Sequence, residues 1–219
     1  MSTDIQAVVF DMDGVLIDSH PTHRAAWHEF FTSLGLQPST EELSFILDGR
    51  TRTEILRHFL GNLPEKELES YGRRKDEIFR SMEPAICPVR GVMKFIRHLR
   101  QSGISIAVAT SASEIRTLST IERLGLSDCF ESIITASDVS AGKPDPMVYG
   151  LACERLGAAP GKSLAFDDAA AGIASALGAG MRCIGVASDG AARRLLRAGA
   201  ERVISDFVEF TLADWRAVA

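Results

Sequence analysis

The feature that most constrains the fold is a short apolar run near the start of the chain that ends in two acids and a glycine. The run from Ile5 to Phe10 is rich in valine, and Asp11-Met12-Asp13-Gly14 follows it directly. A short apolar run bounded in this way predicts a strand of a parallel sheet, buried on both faces. Open α/β sheets carry their functional groups at the carboxyl ends of such strands. The sequence therefore predicts a functional site at Asp11 and Asp13.

The spacing of the two acids predicts a bound cation. Side chains two residues apart on a strand point the same way, so two carboxylates there would repel each other unless a cation lay between them. Carboxylate oxygens favour a hard divalent ion, most simply Mg²⁺. One carboxylate could then attack an electrophile while the other transfers protons. Acidic turns and calcium-binding loops contain the same letters, so this motif alone leaves those alternatives open.

Composition narrows the class of protein. The 219 residues are enough for one large domain, or for one domain with an insert, and 46% of them are apolar. A net charge of −5 gives no general attraction to nucleic acid or to anionic membranes. With no apolar run of about 18 residues and no leader-like start, we expect a soluble cytoplasmic protein without nucleic-acid or membrane partners. We infer no obligate protein partner, and four cysteines without paired spacing are typical of reduced thiols.

The hydrophobic periodicity changes twice along the chain. Residues 16–87 contain helical patterns and no convincing strand; the predicted helices are Pro21 to Leu34, Glu41 to Leu47, Arg52 to Leu60 and Glu65 to Arg80. From residue 88 onward, short strands alternate with helices, the last helix starting at about Val208. This alternation is typical of a doubly wound parallel sheet. We therefore predict an α/β fold with a Rossmann-like core, residues 1–15 and 88–219, interrupted by an all-helical cap domain at 16–87.

Polar residues follow three further predicted strands at the point where each apolar run stops. Thr110 and Ser111 follow one strand, Lys143 lies beyond the next, and Asp167-Asp168 ends a third. In a parallel sheet these positions share one edge with Asp11 and Asp13. A hydroxyl and a lysine that hold phosphate oxygens, beside carboxylates that bind a metal, are typical of phosphoryl transfer.

With these four motifs in this order, the chain resembles the haloacid dehalogenase superfamily of phosphohydrolases, in the branch with a helical cap inserted after the first motif. The resemblance implies that Asp11 is the nucleophile, forming an aspartyl-phosphate, and that Asp13 is the general acid and base. It also implies that Thr110 and Lys143 hold the phosphate. The implied Mg²⁺ ligands are Asp11, the main-chain carbonyl of Asp13, and Asp168; Asp167 would contribute directly, through a bridging water, or by holding other groups of the site without binding the metal.

Within that superfamily, the chain resembles the beta-phosphoglucomutases and related sugar-phosphate phosphatases. His23, Arg52 in Gly49-Arg50-Thr51-Arg52, and Lys75 are similar to cap residues that bind sugar phosphate, although ordinary surface cations would produce the same pattern. Ser111 is a further candidate substrate contact. The segment Ser111-Ala112-Ser113-Glu114 departs from the mutases because it lacks their lysine and asparagine.

These observations predict a Mg²⁺-dependent phosphatase that hydrolyses a small phosphorylated metabolite, most simply a sugar phosphate. A hexose-phosphate mutase is the alternative, since both enzymes would form the same aspartyl-phosphate. A dehalogenase is disfavoured because Asp13 and the acidic fourth motif form a metal site that carbon–halogen displacement does not use. A phospho-accepting signalling module has similar strand-end residues, but it has no need of the long helical insert or of the acid two residues after the nucleophile.

Overall fold

The predicted apolar strands form a six-stranded parallel sheet in a computed structural model, which describes residues 5–39, 42–43, 46, 52–82, 86–187 and 190–212. In chain order the strands are β1 (Ala7–Phe10), β2 (Ser105–Ala109), β3 (Ser132–Ile134), β4 (Ser163–Asp167), β5 (Arg182–Val186) and β6 (Arg202–Ile204). Their spatial order is β3-β2-β1-β4-β5-β6, and every neighbouring pair is parallel. β1 therefore lies at the centre, where the strand order reverses, and the predicted doubly wound α/β fold is confirmed.

The helices predicted at Pro21 to Leu34, Arg52 to Leu60 and Glu65 to Arg80 are confirmed with ends that differ by at most two residues, and further helices alternate with the strands after residue 88, as predicted. The helices of the described residues are α1 (His20–Thr32), α2 (Arg52–Leu60), α3 (Glu65–Met82), α4 (Val92–Gln101), α5 (Glu114–Arg123), α6 (Met147–Leu156), α7 (Ala170–Gly178) and α8 (Ala192–Arg197). A 3₁₀ turn at Pro160–Lys162 precedes β4. The predicted helix from Glu41 to Leu47 lies mostly outside the described residues. None of the helices in the described ranges is long and apolar enough to cross a membrane.

The chain divides into two compact units, one made of Met1–Ile17 with Pro88–Ala219 and the other of Asp18–Cys87. The first contains the sheet and the second contains α1, α2 and α3. Leu16 and Ile17 belong to the first unit because both are buried there, and because the carbonyl oxygen of Leu16 accepts a hydrogen bond from the Val89 N–H.

The sheet is buried on both faces, as its apolar strands require. One face packs small and branched side chains of the strands, such as Val9 and Ala165, against residues of α6 and α7 that include Tyr149 and Ile173. The other face is aromatic. On that face Phe10 stacks on Phe166, its register partner in β4, with ring centroids 5.3 Å apart. This packing holds the ends of β1 and β4, and hence Asp11 and Asp167, side by side.

The prediction that the last helix begins at about Val208 is wrong. Residues 207–211 form bends and irregular backbone, and the first helical residue is Leu212. The physical reason is the aromatic face of the sheet, where Phe207 and Phe210 are both buried. The Phe207 N–H donates to the carbonyl of Arg90, so this segment is attached to a loop instead of forming a helical turn.

The helical unit has its own core. Trp27, Phe30 and Phe31 of α1 are buried against Ile55 of α2 and Leu68 of α3. The helical spacing of these apolar residues on α1 is what the sequence pattern indicated. All four cysteines lie in the described ranges and none of them forms a disulfide; Cys153 and Cys183 are buried, whereas Cys87 is exposed.

Candidate active site

The turn after β1 brings the first and fourth motifs together. The Asp11 N–H donates a hydrogen bond to the carbonyl of Phe166, 2.9 Å away, and the Asp11 residue is only 6% exposed. Gly14 has a φ of +71°, and a Cβ atom at that position would collide with the carboxylate of Asp168. Glycine is therefore required here both by the backbone conformation and by the close approach of Asp168.

Lys143 connects two carboxylates at this edge of the sheet. Its Nζ donates to Asp11 Oδ1 and to Asp167 Oδ2, both at 2.7 Å, and its side chain is 8% exposed. Burial by itself would lower the pKa of Lys143, but Asp11 and Asp167 outweigh burial and raise the pKa. The ammonium group therefore stays charged.

Tyr149 is a member of the site that the sequence analysis did not identify. It lies on the first turn of α6, fully buried, and its hydroxyl donates to Asp167 Oδ2 at 2.6 Å. Lys143 Nζ lies 4.8 Å from the centroid of the Tyr149 ring. Burial is the main reason that the pKa of Tyr149 is raised, so the hydroxyl keeps its proton and remains a donor. Apolar periodicity could have predicted a buried residue 149, but not the partner of its hydroxyl.

Both carboxylate oxygens of Asp167 accept hydrogen bonds. Besides Lys143 and Tyr149 on Oδ2, the N–H of Ala169 donates to Oδ1 at 2.9 Å. Gly172 of α7 passes directly over this carboxylate, and a Cβ atom there would collide with it. Asp167 is therefore a buried acceptor that holds its three donors in place.

Thr110 follows β2, the neighbour of β1, and is buried. Its N–H donates to the carbonyl of Ile134 at 3.0 Å, and its Oγ1 accepts a hydrogen bond from the N–H of Ala112 at 3.1 Å. Ser111 is exposed. The structure thus places Thr110 at the same edge of the sheet as Asp11.

A second residue absent from the sequence analysis, Arg116, pairs with Asp13. Its Nη1 donates to Asp13 Oδ2 at 2.7 Å and its Nη2 donates to Oδ1 at 2.6 Å, so the guanidinium engages both carboxylate oxygens. The two side chains are 17% and 24% exposed, respectively. A cation in the first turn of α5, where the helix dipole disfavours it, is the one local signal that the sequence offers.

The electrostatics of Asp11 favour an additional cation. The pKa of Asp11 is raised well above its ordinary value, chiefly by burial. Lys143 acts in the opposite direction, while the carboxylates of Asp167, Asp168 and Asp13 raise the pKa further. A divalent cation at this edge would act in the same direction as Lys143 and would favour the charged carboxylate.

The oxygen donors present have the right chemistry for Mg²⁺. No group of three or more His, Cys, Asp or Glu side chains in the described ranges is arranged to surround a metal ion. The set implied by the resemblance does not need one, because it uses the carboxylates of Asp11 and Asp168 with the main-chain carbonyl of Asp13. The Asp13 carboxylate is paired with Arg116, and this pairing is compatible with a metal ligand from the Asp13 main chain.

The predicted cap residues lie together within the helical unit. Lys75 is buried, with Nζ 3.4 Å from His23 Nδ1 and 5.2 Å from the ring centroid of Trp27. Asp76 connects this group to Arg52, whose Nη1 lies 2.5 Å from Asp76 Oδ2, while Asp76 Oδ1 is 3.7 Å from Lys75 Nζ. Gly49, Arg50 and Thr51, which belong to the predicted cap motif, lie outside the described residues.

The chain is similar to known proteins over most of its length. Residues 8–186 match the family model described as haloacid dehalogenase-like hydrolase. The chain is 32% identical over 211 residues to validoxylamine A 7'-phosphate phosphatase of Streptomyces hygroscopicus subsp. limoneus, covering 93% of this chain and 95% of the relative. It is 34% identical over 209 residues to a phosphorylated carbohydrates phosphatase of Thermotoga maritima, covering 91% and 94%.

The fold is shared with solved structures. A hydrolase described as haloacid dehalogenase family IA, variant 3, from Entamoeba histolytica superposes with a TM-score of 0.87 at 28% sequence identity, covering 97% of this chain and 98% of the other. The family match spans all four motifs and the helical insert between the first two. The chain therefore belongs to the haloacid dehalogenase-like hydrolases.

Proposed function

We propose that this protein is a Mg²⁺-dependent phosphatase that hydrolyses a small sugar phosphate through an aspartyl-phosphate on Asp11. The observation that carries the proposal is the bridge from Lys143 to Asp11 and Asp167, which sets a charged, buried lysine against the nucleophile. The two relatives described above are both named as phosphatases, which supports the same reaction class.

In the first half-reaction, a carboxylate oxygen of Asp11 attacks phosphorus as the bond from phosphorus to the sugar oxygen breaks. Asp13 delivers a proton to that departing oxygen, so the sugar leaves as a neutral alcohol. Lys143 and Thr110 hold oxygens of the transferred phosphoryl group, and Ser111 contacts the substrate from the exposed side of the loop. The ammonium of Lys143 offsets negative charge in the transition state.

In the second half-reaction, water attacks the phosphorus of the aspartyl-phosphate. Asp13 accepts a proton from that water, the bond between phosphorus and the Asp11 oxygen breaks, and inorganic phosphate is released. Asp11 returns to its carboxylate form and Asp13 to its protonated form, ready for the next substrate. One residue thus acts as acid and then as base within a turnover.

Asp11, Asp168 and the main-chain carbonyl of Asp13 would hold Mg²⁺, which when bound supplies charge that offsets the developing negative charge on the phosphoryl oxygens. We assign Asp167 to holding Lys143 instead of to the metal, because its two oxygens already accept three hydrogen bonds. This assignment takes one of the alternatives that the sequence leaves open for Asp167.

We assign the cap residues His23, Arg52 and Lys75 to binding the part of the substrate remote from the scissile bond. This assignment is supported by a group of cationic and aromatic side chains that lie together on α1, α2 and α3. Lysine and arginine attract anionic groups, and an aromatic wall is compatible with the apolar face of a sugar ring.

The test is a panel of sugar phosphates assayed by phosphate release with Mg²⁺, with Ca²⁺ and with chelator, alongside Asp11→Asn. We expect stoichiometric release with Mg²⁺ and none with chelator. Ca²⁺ should support little turnover, because it takes more ligands in a looser geometry. Primer-dependent interconversion of the two glucose phosphates, with phosphate a minor product, would overturn the proposal in favour of a mutase. Phosphorylation of the protein without turnover would favour a signalling module.

A further inference from the structure

The pairing of Arg116 with Asp13 joins a helix residue outside the four motifs to the proposed general acid and base. We infer that Arg116 is a positioning residue, which fixes the orientation of the Asp13 carboxylate for its two proton transfers. This inference rests on the proposed function. Neither the family match nor any sequence motif assigns a role to this arginine.

The geometry of the pair supports orientation. Two parallel N–H···O bonds, at 2.6 and 2.7 Å, join the two planar groups, so they restrict both the position and the rotation of the carboxylate. The contact spans 103 residues of sequence and connects the turn after β1 to the start of α5. A lysine could supply charge at this point but not the planar fork.

Helix stability does not explain an arginine at residue 116. α5 begins at Glu114, so Arg116 lies in its first turn, where the helix dipole favours acids and disfavours cations. An ion pair with both side chains mostly buried also loses much of its attraction to desolvation, so its net contribution to stability is small. The effect of Arg116 that remains is to hold the Asp13 carboxylate in place.

Positioning of a general acid has a chemical signature. Phenolate is a strongly basic leaving group that needs a proton as it departs, whereas 2,4-dinitrophenolate is a weak base that departs unaided. Disorienting Asp13 should therefore slow phosphoryl transfer from phenyl phosphate and spare transfer from 2,4-dinitrophenyl phosphate. The ratio kcat/KM reports this first transfer, because it contains only the steps up to the release of the alcohol.

The experiment measures kcat/KM for both esters with wild type, Arg116→Gln, Arg116→Lys and a control, Arg123→Gln, at an exposed position of the same helix. Arg116→Gln should lower the value for phenyl phosphate at least about tenfold and that for the dinitrophenyl ester less than about twofold, since general acid catalysis is worth about 10²–10⁴-fold. Arg116→Lys should restore part of the loss, and Arg123→Gln should resemble wild type.

Equal losses on the two esters, no loss, or a gain in rate would each overturn the role of Arg116. A double-mutant cycle provides a second readout: Arg116→Gln should have no further effect on phenyl phosphate once Asp13 is Asn, and independent losses would contradict action through Asp13. Failure of the wild type to hydrolyse either ester would instead contradict the proposed function, and with it the role of Arg116. The ratio between esters and the wild-type activity thus test the two statements separately.

Discussion

The hydroxyl of Tyr149 and the carboxylate of Asp167 form a fully buried hydrogen bond of 2.6 Å beneath Lys143. The same Asp167 oxygen accepts a hydrogen bond from the Lys143 ammonium, which also donates to Asp11. Four side chains from separate parts of the sequence are therefore linked in one chain of hydrogen bonds. In such a chain, a change at Tyr149 should affect Asp11 through Asp167 and Lys143.

Tyr149→Phe keeps the ring beneath Lys143 and removes the hydroxyl, which donates to Asp167 and accepts a longer hydrogen bond, 3.4 Å, from Lys143 Nζ. We expect kcat to fall about tenfold and the free energy of unfolding to fall by about 1–3 kcal/mol, since hydrogen bonds to charged groups contribute at this level. Steady-state kinetics and urea unfolding would measure both. The chain's other tyrosine offers a matched control, because Tyr71 packs its ring against Phe30 in the helical unit, and Tyr71→Phe should change neither quantity appreciably. A Tyr149→Phe enzyme with wild-type kcat would show that the Tyr149 hydroxyl has no role in turnover.

Asp11→Asn should abolish turnover while leaving the fold intact. The amide preserves the shape of the side chain but can neither attack phosphorus nor balance the Lys143 charge. We expect activity below about 1% of wild type in phosphate release, because loss of a nucleophile costs orders of magnitude. Circular dichroism and the thermal midpoint check the fold. Greater residual activity in a folded protein would argue against Asp11 as the nucleophile.

Gly172→Ala and Gly150→Ala place the same methyl group in two helices with different surroundings. A Cβ at Gly172 would collide with the Asp167 carboxylate, whereas a Cβ at Gly150 has no heavy atom of the described residues within 4 Å apart from its chain neighbours and its own helix backbone. We expect Gly172→Ala to destabilise the protein by about 1–3 kcal/mol, the usual cost of overpacking, and to lower activity. Gly150→Ala should be neutral or stabilise the protein by up to about 1 kcal/mol, since alanine favours helix. Similar urea midpoints for the two variants would show that α7 does not constrain Asp167.

Asp138 should make stability depend on pH. The N–H of Thr135 is the main reason that the pKa of this carboxyl is lowered, with Arg155 adding to the effect. Because the folded-state pKa lies below the unfolded value of about 3.9, the stabilisation is present above that pH and is lost as the pH falls through the folded-state pKa. The excess stability of wild type over Asp138→Asn, from urea unfolding, should be constant from about pH 5 to 7 and shrink below about pH 4. Asp128→Asn, at an exposed position, is the control, and a difference that grows in acid would contradict the assignment.

Arg52→Ala should raise KM for a bisphosphorylated sugar and leave KM for a small aryl phosphate unchanged. The expected loss is that of a bidentate contact to a second phosphate group, and kcat should change little. Asp76 forms ion pairs with both Arg52 and Lys75, and Lys75 Nζ lies 3.4 Å from His23 Nδ1. Arg57→Ala on the same helix is the matched control. The Arg57 side chain is exposed, and its Nη2 lies 3.7 Å from Glu65 Oε2. Equal KM values for wild type and Arg52→Ala with the bisphosphate would remove Arg52 from the substrate contacts.

Much of the fold could be predicted from local pattern. A buried strand and an amphipathic helix each require a periodic arrangement of apolar residues, so Ala7–Phe10 and Glu65–Met82 could be located without tertiary information. Because parallel strands end at one edge of a sheet, the same reasoning predicted that Asp11, Lys143 and Asp167 would lie together. The structure places them in contact, while their catalytic roles remain predictions.

The sequence by itself determined the parallel sheet and the residue types at its functional edge, whereas the tertiary structure alone decided which side chains pair there. The contacts of Arg116 with Asp13 and of Tyr149 with Asp167 have no local signal that identifies the partner. Phe207 likewise lies in an irregular segment because it is buried against Phe95 and Phe166, which are distant in sequence. The physical reason is that apolar periodicity is a local property, which reports how each segment is buried. A hydrogen bond between distant segments depends instead on ångström-scale distances, which strand register and helix packing determine.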